Sequence, residues 1–483
     1  MNILQVLRLL SVLLLIISGF MATPLIVALF YDELFLSTSF LIPICGMVLF
    51  YVLLRLITKK PEKTDVATQE GFLLVALSWL SASLFGCLPF YLSGYIPSFT
   101  DAFFETMSGF TTTGASILVD IERLPHALLF WRSLTHWLGG MGIVVLTIAI
   151  FPLLGFGAFQ LLKAEAPGPT VDKITPRIKE TAKILWMIYV GLTVAETVLL
   201  LIGGMNLFEA LTHTFGTLAT GGFSPKAASV GHYQSAYIHI VVTVFMLCAG
   251  INFILYFKLV TGKLEDIARN SEIKFYLSVF AIATLIIAIS LYQNRFDTFG
   301  ESLRYGGFQA ASILTTTGYV TDDFAAWPTI AKGVLFLLMF VGGCSGSTGG
   351  GIKVVRVLTL VKQGFTEMKY LTHPKGIFSV HISGEKVKKN IIYSIYGFVT
   401  LYFAMLFIIT VAVSSGGNDL LTSFSTSLVT VGNIGPGFGS IGPTLNYSFY
   451  QDYIKWFLSF AMMIGRLEVY TVLVLFTPMF WKK

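Results

Sequence analysis

The sequence predicts an all-α polytopic membrane protein: four parallel helix–pore-loop–helix repeats around one pore with pseudo-fourfold symmetry, plus an N-terminal two-helix hairpin. Three observations predict it. The chain is mostly apolar, its basic residues fall on one side of successive apolar spans, and a short glycine-bearing polar segment recurs four times. The four copies are Thr111-Thr112-Thr113-Gly114, Ala219-Thr220-Gly221-Gly222, Thr315-Thr316-Thr317-Gly318 and Gly432-Asn433-Ile434-Gly435.

Of 483 residues, 55% are hydrophobic and 12% are charged, and the mean hydropathy is +0.78. Soluble domains carry roughly 25% charged residues, so this composition belongs to the membrane class. The net charge of +6 does not mark a nucleic-acid binder, because the basic residues sit in short loops between apolar spans. Cys45, Cys87, Cys248 and Cys344 lie in or beside apolar segments and read as small buried hydrophobes.

A helix needs about 20 apolar residues to cross the hydrocarbon core. Ten spans meet that test: 9–31, 36–57, 71–94, 128–152, 181–203, 235–257, 275–292, 328–345, 391–413 and 454–478. The first is too long for a signal segment and reads as a retained span. Glycine or charge interrupts the spans at 328–345 and 454–478. With the N-terminus inside, 24 of the 32 Lys and Arg residues fall on the inner side. That bias places both termini in the cytoplasm.

Between spans three and four, five and six, seven and eight, and nine and ten lies a shorter amphipathic segment. These are 101–110, 207–218, 301–314 and 419–430, too short to cross. Each runs into one of the four glycine-bearing loops. A half-membrane helix followed by irregular backbone is the pattern of a re-entrant loop, tolerated at membrane depth only where it lines water or is buried in protein. From filter glycine to a glycine in the next span is 26, 28, 25 and 30 residues: Gly114 to Gly140, Gly222 to Gly250, Gly318 to Gly343, Gly435 to Gly465. The period divides the chain into a hairpin (1–66) and repeats at 67–165, 166–265, 266–385 and 386–483.

A permeating cation exchanges its water for protein oxygens, and rings of backbone carbonyls supply them. Glycine fits because carbonyls aimed at one axis need alternating backbone conformations, including positive φ. A threonine hydroxyl offers a further oxygen. One such tetrapeptide alone reads first as a polar turn; four at matched positions read as a filter. The fourth loop, with Asn433 and Ile434 and with Pro436 after its glycine, departs most, and weaker or asymmetric coordination is expected there. Oxygen rings suit potassium and sodium alike. Acids flank the loops: Asp120, Glu122, Asp322 and Asp323 follow filters, and Asp101, Glu209 and Asp419 begin pore helices. The helix-start acids read as caps; those after the filters suit a cation.

Below the filter, residues 342–351 read Gly-Gly-Cys-Ser-Gly-Ser-Thr-Gly-Gly-Gly, which cannot continue a helix. The segment Gly346, Ser347, Thr348, Gly349, Gly350 and Gly351 reads as a gate crossing the pore; the alternative is a broken helix facing protein. Arg466 lies within a span, where an arginine is a functional candidate. It is expected level with Gly140, Gly250 and Gly343, at the pore axis. A salt bridge to Glu468, or bonds to loop carbonyls, are compatible alternatives. A coupled symporter would use buried carboxylates, and the spans hold few, mainly Glu196 and Glu468. An enzyme would need clustered groups, but His136, His213 and His239 belong to different repeats.

The four filters, the loop at 342–351 and Gly465-Arg466-Leu467-Glu468-Val469-Tyr470 together resemble the bacterial Trk/Ktr potassium-uptake superfamily. Phe103-Phe104-Glu105, Trp137 to Gly142 and Leu475-Phe476-Thr477-Pro478 match as well, and the N-terminal hairpin and length resemble the Trk branch. The resemblance implies a channel-like subunit that passes K+ across the bacterial inner membrane, with K+ as permeant ion and no bound cofactor. It implies a homodimer with one pore per protomer, embedded in lipid. The sixteen filter positions, the gate at Gly346–Gly351 and the pore arginine at Arg466 carry over from it. So does a cytoplasmic TrkA-like nucleotide-binding partner, for which segments 153–183 and 353–389 offer docking sites; nucleotides are expected on that partner. A Na+- or H+-coupled potassium symporter is the alternative.

Overall fold

The structure is a computed structural model that describes residues 1–57, 67–140, 142 and 178–482. The end of the span expected at 128–152, most of segment 153–183, the boundaries at residues 66 and 165, and the basic residues Lys59, Lys60, Lys63, Lys163, Lys173, Arg177 and Lys483 lie outside the described residues.

The N-terminal hairpin forms as expected. Its first arm, Ile3–Phe30, is longer than the apolar window suggested, because the Asn2 side chain caps the helix by accepting the Gln5 N–H. The second arm is Leu34–Ile57. At the turn, Glu33 accepts the backbone N–H groups of His126 (2.8 Å) and Ala127 (2.9 Å). Those donors are orphans at the start of helix His126–Gly140, so a carboxylate from the hairpin satisfies both and complements the helix dipole. The hairpin is thereby fixed to the first repeat.

Each repeat opens with a long helix: Thr68–Leu92, Ile178–Ile202, Ser271–Leu291 and Lys389–Ser414. The short helices follow at Phe99–Phe110, Leu207–Leu218, Phe299–Leu314 and Leu420–Val431. All four start with a side-chain cap: Ser98 accepts the Asp101 N–H, Asn206 that of Glu209, Thr298 that of Glu301, and Asp419 that of Thr422. The sequence assigned capping to Asp101 and Glu209 as well. Those two stand three residues inside and pair with lysines instead, Asp101 with Lys455 (2.5 Å) and Glu209 with Lys226 (3.0 Å).

The closing helix of a repeat is where the apolar windows mislead. Six described helices are long and apolar enough to cross a membrane, or eight if two bent pairs each count as one span. The two interrupted spans are interrupted as expected. Thr329–Leu338 stops after 10 residues, and helix resumes only at Val354–Thr372. Asp452–Leu467 bends by 117° into Val469–Phe476. The span at 235–257, expected to be continuous, bends by 96° between Ala236–Ala249 and Phe253–Val260. Of the cysteines, Cys87 and Cys344 are buried as expected, but Cys45 is exposed.

Segments after the filters are tied to neighbouring helices. Arg295, just past helix Ser271–Leu291, grips Asp322 with two donors at 2.8 and 3.1 Å, and Trp327 Nε1 donates to the same carboxylate at 2.6 Å. Burial tends to raise the Asp322 carboxyl, but the bonds from Arg295 and Trp327 outweigh it and hold the group below its ordinary value. A depressed carboxylate contributes stability above its unfolded pKa of about 3.9 and loses it as pH falls through the folded value. The Arg295 side chain is 40% exposed, so solvent screening limits the contribution to about 1 kcal/mol. Asp322→Asn is therefore expected to lower Tm in detergent at pH 7. The difference from the parent should shrink as pH is taken below about 4; a pH-independent difference would show that the charge is not what matters.

Candidate functional site

The four polar loops adopt one backbone conformation. The first residue of each, Thr111, Ala219, Thr315 and Gly432, caps its pore helix with φ between −74° and −83°. The second is left-handed in every case: Thr112 at 53°, Thr220 at 53°, Thr316 at 61° and Asn433 at 53°. The fourth, Gly114, Gly222, Gly318 and Gly435, has φ from 77° to 92°. Hydrogen bonds repeat too. The second residue's N–H returns to Gly109, Thr217, Ile313 and Thr430, and the third's to Ser108, Gly216, Ser312 and Val429. This is a Schellman cap, in which a left-handed residue lets the chain close the last helical carbonyls and then turn away. Glycine normally takes the left-handed place; here threonine and asparagine do.

The loops then close on one another. A Cβ on Gly114 would strike the Gly221 carbonyl oxygen, one on Gly222 the Thr317 oxygen, and one on Gly318 the Ile434 oxygen. On Gly435 it would sit 2.6 Å from the Thr113 oxygen. Each fourth-position glycine thus rests on the third-position carbonyl of the next loop, in the order one, two, three, four and back to one. The structure gathers all sixteen predicted filter positions into this ring. Among them Thr111–Thr113, Thr220, Thr315–Thr317, Asn433 and Ile434 are buried.

Side chains brace the ring. Thr111 and Thr315 donate to carbonyls of their own pore helices at 2.7 Å and meet the Thr113 and Thr317 hydroxyls at 2.8 and 2.7 Å. Thr220 bonds the adjacent Ala219 carbonyl at 2.6 Å. Asn433 reaches across to Thr113 Oγ1 and to the Met462 carbonyl, both at 2.9 Å. The departure of the fourth loop therefore links loop four to loop one.

The glycine-rich segment lies against the first-position end of this ring. A Cβ on Gly349 would be 2.9 Å from the Thr315 oxygen, and one on Gly350 would strike the Gly432 oxygen. The Gly350 N–H donates to Thr316 Oγ1 at 2.7 Å, and buried Lys353 donates to the Gly349 carbonyl. The unexpected bend at 250–252 anchors the segment. It frees helix-end carbonyls, and Cys344 N–H takes that of Gly250 at 2.8 Å while Thr348 Oγ1 takes that of Ala249 at 3.2 Å. The Gly346 carbonyl in turn accepts the Phe253 N–H at 3.0 Å.

Arg466 joins the same network. It donates to the Thr348 carbonyl at 2.6 Å and to those of Gly139 and Gly140 at 2.6 and 2.8 Å. Bonds to carbonyls, one of the alternatives to a free axial charge, are therefore present. Glu468 accepts from Arg356 at 2.6 Å instead. By contact, Gly465 packs on the Val431 carbonyl as Gly139 does on that of Phe110. Gly465 thus matches Gly139 rather than Gly140, and Arg466 comes level with Gly140 as expected.

Sequence reasoning missed two groups. Glu105 and Arg132 form a buried pair at 2.7 Å behind the first loop; a separation of 27 residues gave no periodic signal. His136 and His213 are also buried behind filters, bonding the Gly109 carbonyl at 2.7 Å and Ser224 Oγ at 3.0 Å. Among the described residues no three His, Cys, Asp or Glu side chains group as metal ligands. The acids after the filters are mostly engaged: Asp322 by Arg295, Asp323 by the Ala325 N–H at 3.0 Å, and Glu122 by the Ala227 N–H at 3.2 Å.

Comparison with known proteins places this architecture. The chain matches the family described as TrkH, cation transport protein, over residues 38–483. It is 40% identical to the Trk system potassium uptake protein TrkH of Escherichia coli K12 over 484 residues, 99% of each chain. Against the Trk system potassium uptake protein TrkG of that organism the figure is 34% over 468 residues, 96% of this chain and 95% of the other. The crystal structure of the potassium transporter TrkH from Vibrio parahaemolyticus superposes with a TM-score of 0.89 at 34% identity, covering 100% of both chains. With its apolar spans, four capped loops and full-length kinship, this multi-pass membrane chain belongs to the TrkH family of cation transport proteins.

Proposed function

We propose that this chain is a potassium-selective, channel-like uptake subunit of the bacterial inner membrane. The observation that carries the reading is the closed ring of four loops with alternating backbone handedness. Alternation turns successive carbonyls toward a common axis, and closure spaces four of them per layer around it. Each pore helix ends at its loop, so four partially negative helix termini converge there and favour a cation. Kinship with Trk system potassium uptake proteins over nearly their whole length supports potassium as that cation.

Gly346–Gly351 and Arg466 act as the gate. The segment presses on first-position carbonyls of loops three and four, and Arg466 holds it to the first repeat. Opening requires those bonds to be exchanged. Both termini are cytoplasmic, and the repeats divide at residues 66, 165, 265 and 385. Two protomers associate, each with its own pore. A TrkA-like nucleotide-binding ring docks on the 353–389 side and sets the gate; that stretch offers a basic helix and a hairpin pairing His381 with Lys386.

The first test is flux through the purified chain in liposomes, driven by a potassium, rubidium or sodium gradient with no other ion gradient. Selective potassium and rubidium flux is expected. Flux that appears only with an added sodium or proton gradient would establish a symporter instead. No flux alone but flux with the nucleotide-binding subunit would make that partner obligatory.

Two variants probe the parts separately. Gly318→Ala places a methyl group on the Ile434 carbonyl, and should cut the rubidium-to-sodium flux ratio by roughly tenfold by displacing a carbonyl of the ring. Arg466→Ala, and separately deletion of Gly346–Gly351, should raise potassium flux several-fold while leaving the ratio unchanged. Equal or lower flux in both folded variants would remove the gating assignment.

A further inference from the structure

Six residues before the first filter position, each pore helix carries a different polar residue: Glu105, His213, Gln309 and Thr426. Three reach the strand that leaves their own filter. Glu105 Oε2 accepts the Ile117 N–H at 2.9 Å and Oε1 the Ser116 hydroxyl at 2.9 Å. His213 meets Ser224 Oγ at 3.0 Å, and Gln309 donates to the Tyr319 carbonyl at 3.4 Å. Thr426 turns to the Tyr450 hydroxyl, and Tyr447 takes its place by donating to the Gly435 carbonyl at 2.6 Å. One matched position thus clamps the filters by unlike chemistry, and only the first clamp is ionic.

That clamp also crosses between loops. Arg132 Nε donates to Glu105 Oε1 at 2.7 Å, and its Nη1 donates to the Ser224 carbonyl beyond the second filter at 3.1 Å. Its guanidinium lies 3.5 Å over the Phe223 ring. The two side chains are 2% and 0% exposed. A buried ion pair contributes little net stability, because desolvation offsets the attraction. What it does supply is fixed geometry: both carboxylate oxygens and the planar fork are committed to backbone or side chain of two adjacent loops. These are the loops joined by the Gly114–Gly221 contact.

We propose that Glu105 and Arg132 are positioning residues that set cation discrimination by fixing the spacing of the first and second filter loops. The proposal rests on reading the loops as the filter. Neither residue meets the permeating ion; they act through the backbone of Ser116, Ile117 and Ser224. Glutamine at 105 keeps the shape but presents one acceptor where two are used. Lysine at 132 keeps the charge but cannot hold Glu105 and Ser224 together.

The test compares full-length Glu105→Gln, Arg132→Gln, Arg132→Lys and Glu105→Gln/Arg132→Gln in liposomes, reading the rubidium-to-sodium flux ratio and total flux. Each single variant should lower the ratio about tenfold, because losing either partner releases the loop backbone that the pair positions. The double variant should fall no further than the worse single, because the pair acts as one unit. Where charge removal prevents folding, Arg132→Lys gives the answer by itself. An unchanged ratio in folded variants, with only total flux reduced, would make the pair merely structural and overturn the proposal. Gly318→Ala, run in parallel, separates the two failures. If it shifts the ratio and the clamp variants do not, the clamp is wrong and the filter stands; if none shifts it, the filter reading falls and takes the clamp with it.

Discussion

The structure depends on the way a helix C-terminus is closed. A helix leaves its last carbonyls without partners, and burying them unpaired costs several kcal/mol. Each pore helix solves this with a left-handed residue, and the turn directs the chain into a tetrapeptide with no regular partner of its own. Left-handed conformation costs a threonine roughly 1–2 kcal/mol. Three threonines and an asparagine accept that cost because the ring over-determines them. The fourth position is glycine in all four loops, because a neighbouring carbonyl there occupies the place of a Cβ.

A second set of broken helices faces the ring from below, and its breaks belong together. The bend after Ala249 exposes two carbonyls; the interruption after Leu338 produces a segment rich in N–H donors; the two meet. The first repeat's helix offers its Gly139 and Gly140 carbonyls, and Arg466 from the fourth covers them. Charge-assisted bonds of this kind are worth roughly 1.5–3 kcal/mol each. Those bonds hold the arginine inside a membrane chain, and Glu468 pairs with Arg356. The closed arrangement holds because each broken end is another's partner.

How much of this the sequence revealed follows from how far apart the partners are. Repeats, pore helices and filter positions are local patterns: an apolar run, a short amphipathic segment and a polar turn with glycine. The short helices appeared within a residue or two of their observed bounds, since Leu207–Leu218 coincides with the expected segment and Phe99–Phe110 starts two residues early. The caps Ser98, Asn206 and Thr298 lie just outside the expected segments and were overlooked, the first two in favour of Asp101 and Glu209, whereas Asp419 caps as expected. The bend at 250–252 was missed because Cys248 to Phe257 is apolar enough to look continuous; only Gly250 and Asn252 hint at it. Pairs across distant segments left no pattern at all. Arg132 looked like a basic residue flanking a span, and nothing in the line of residues tells that its partner is Glu105.

Carrying all four loops on one chain explains why the ring can be both regular and unequal. Four identical subunits would have to repeat every clamp; a single chain repeats the backbone, which closure of the ring demands, and varies what stands behind it. Loops one and two are joined by an ion pair, loops two and three through the Tyr319 hydroxyl on the His213 carbonyl at 2.8 Å, and loops four and one through Asn433. Between loops three and four, Pro436 packs on Gly318 and the Phe324 and Phe438 rings meet at 5.4 Å, while the glycine-rich segment touches Thr316 and the Gly432 carbonyl. The glycine-rich segment thus lies beneath the joint opposite the ionic clamp, so the two elements bear on different sides of the ring.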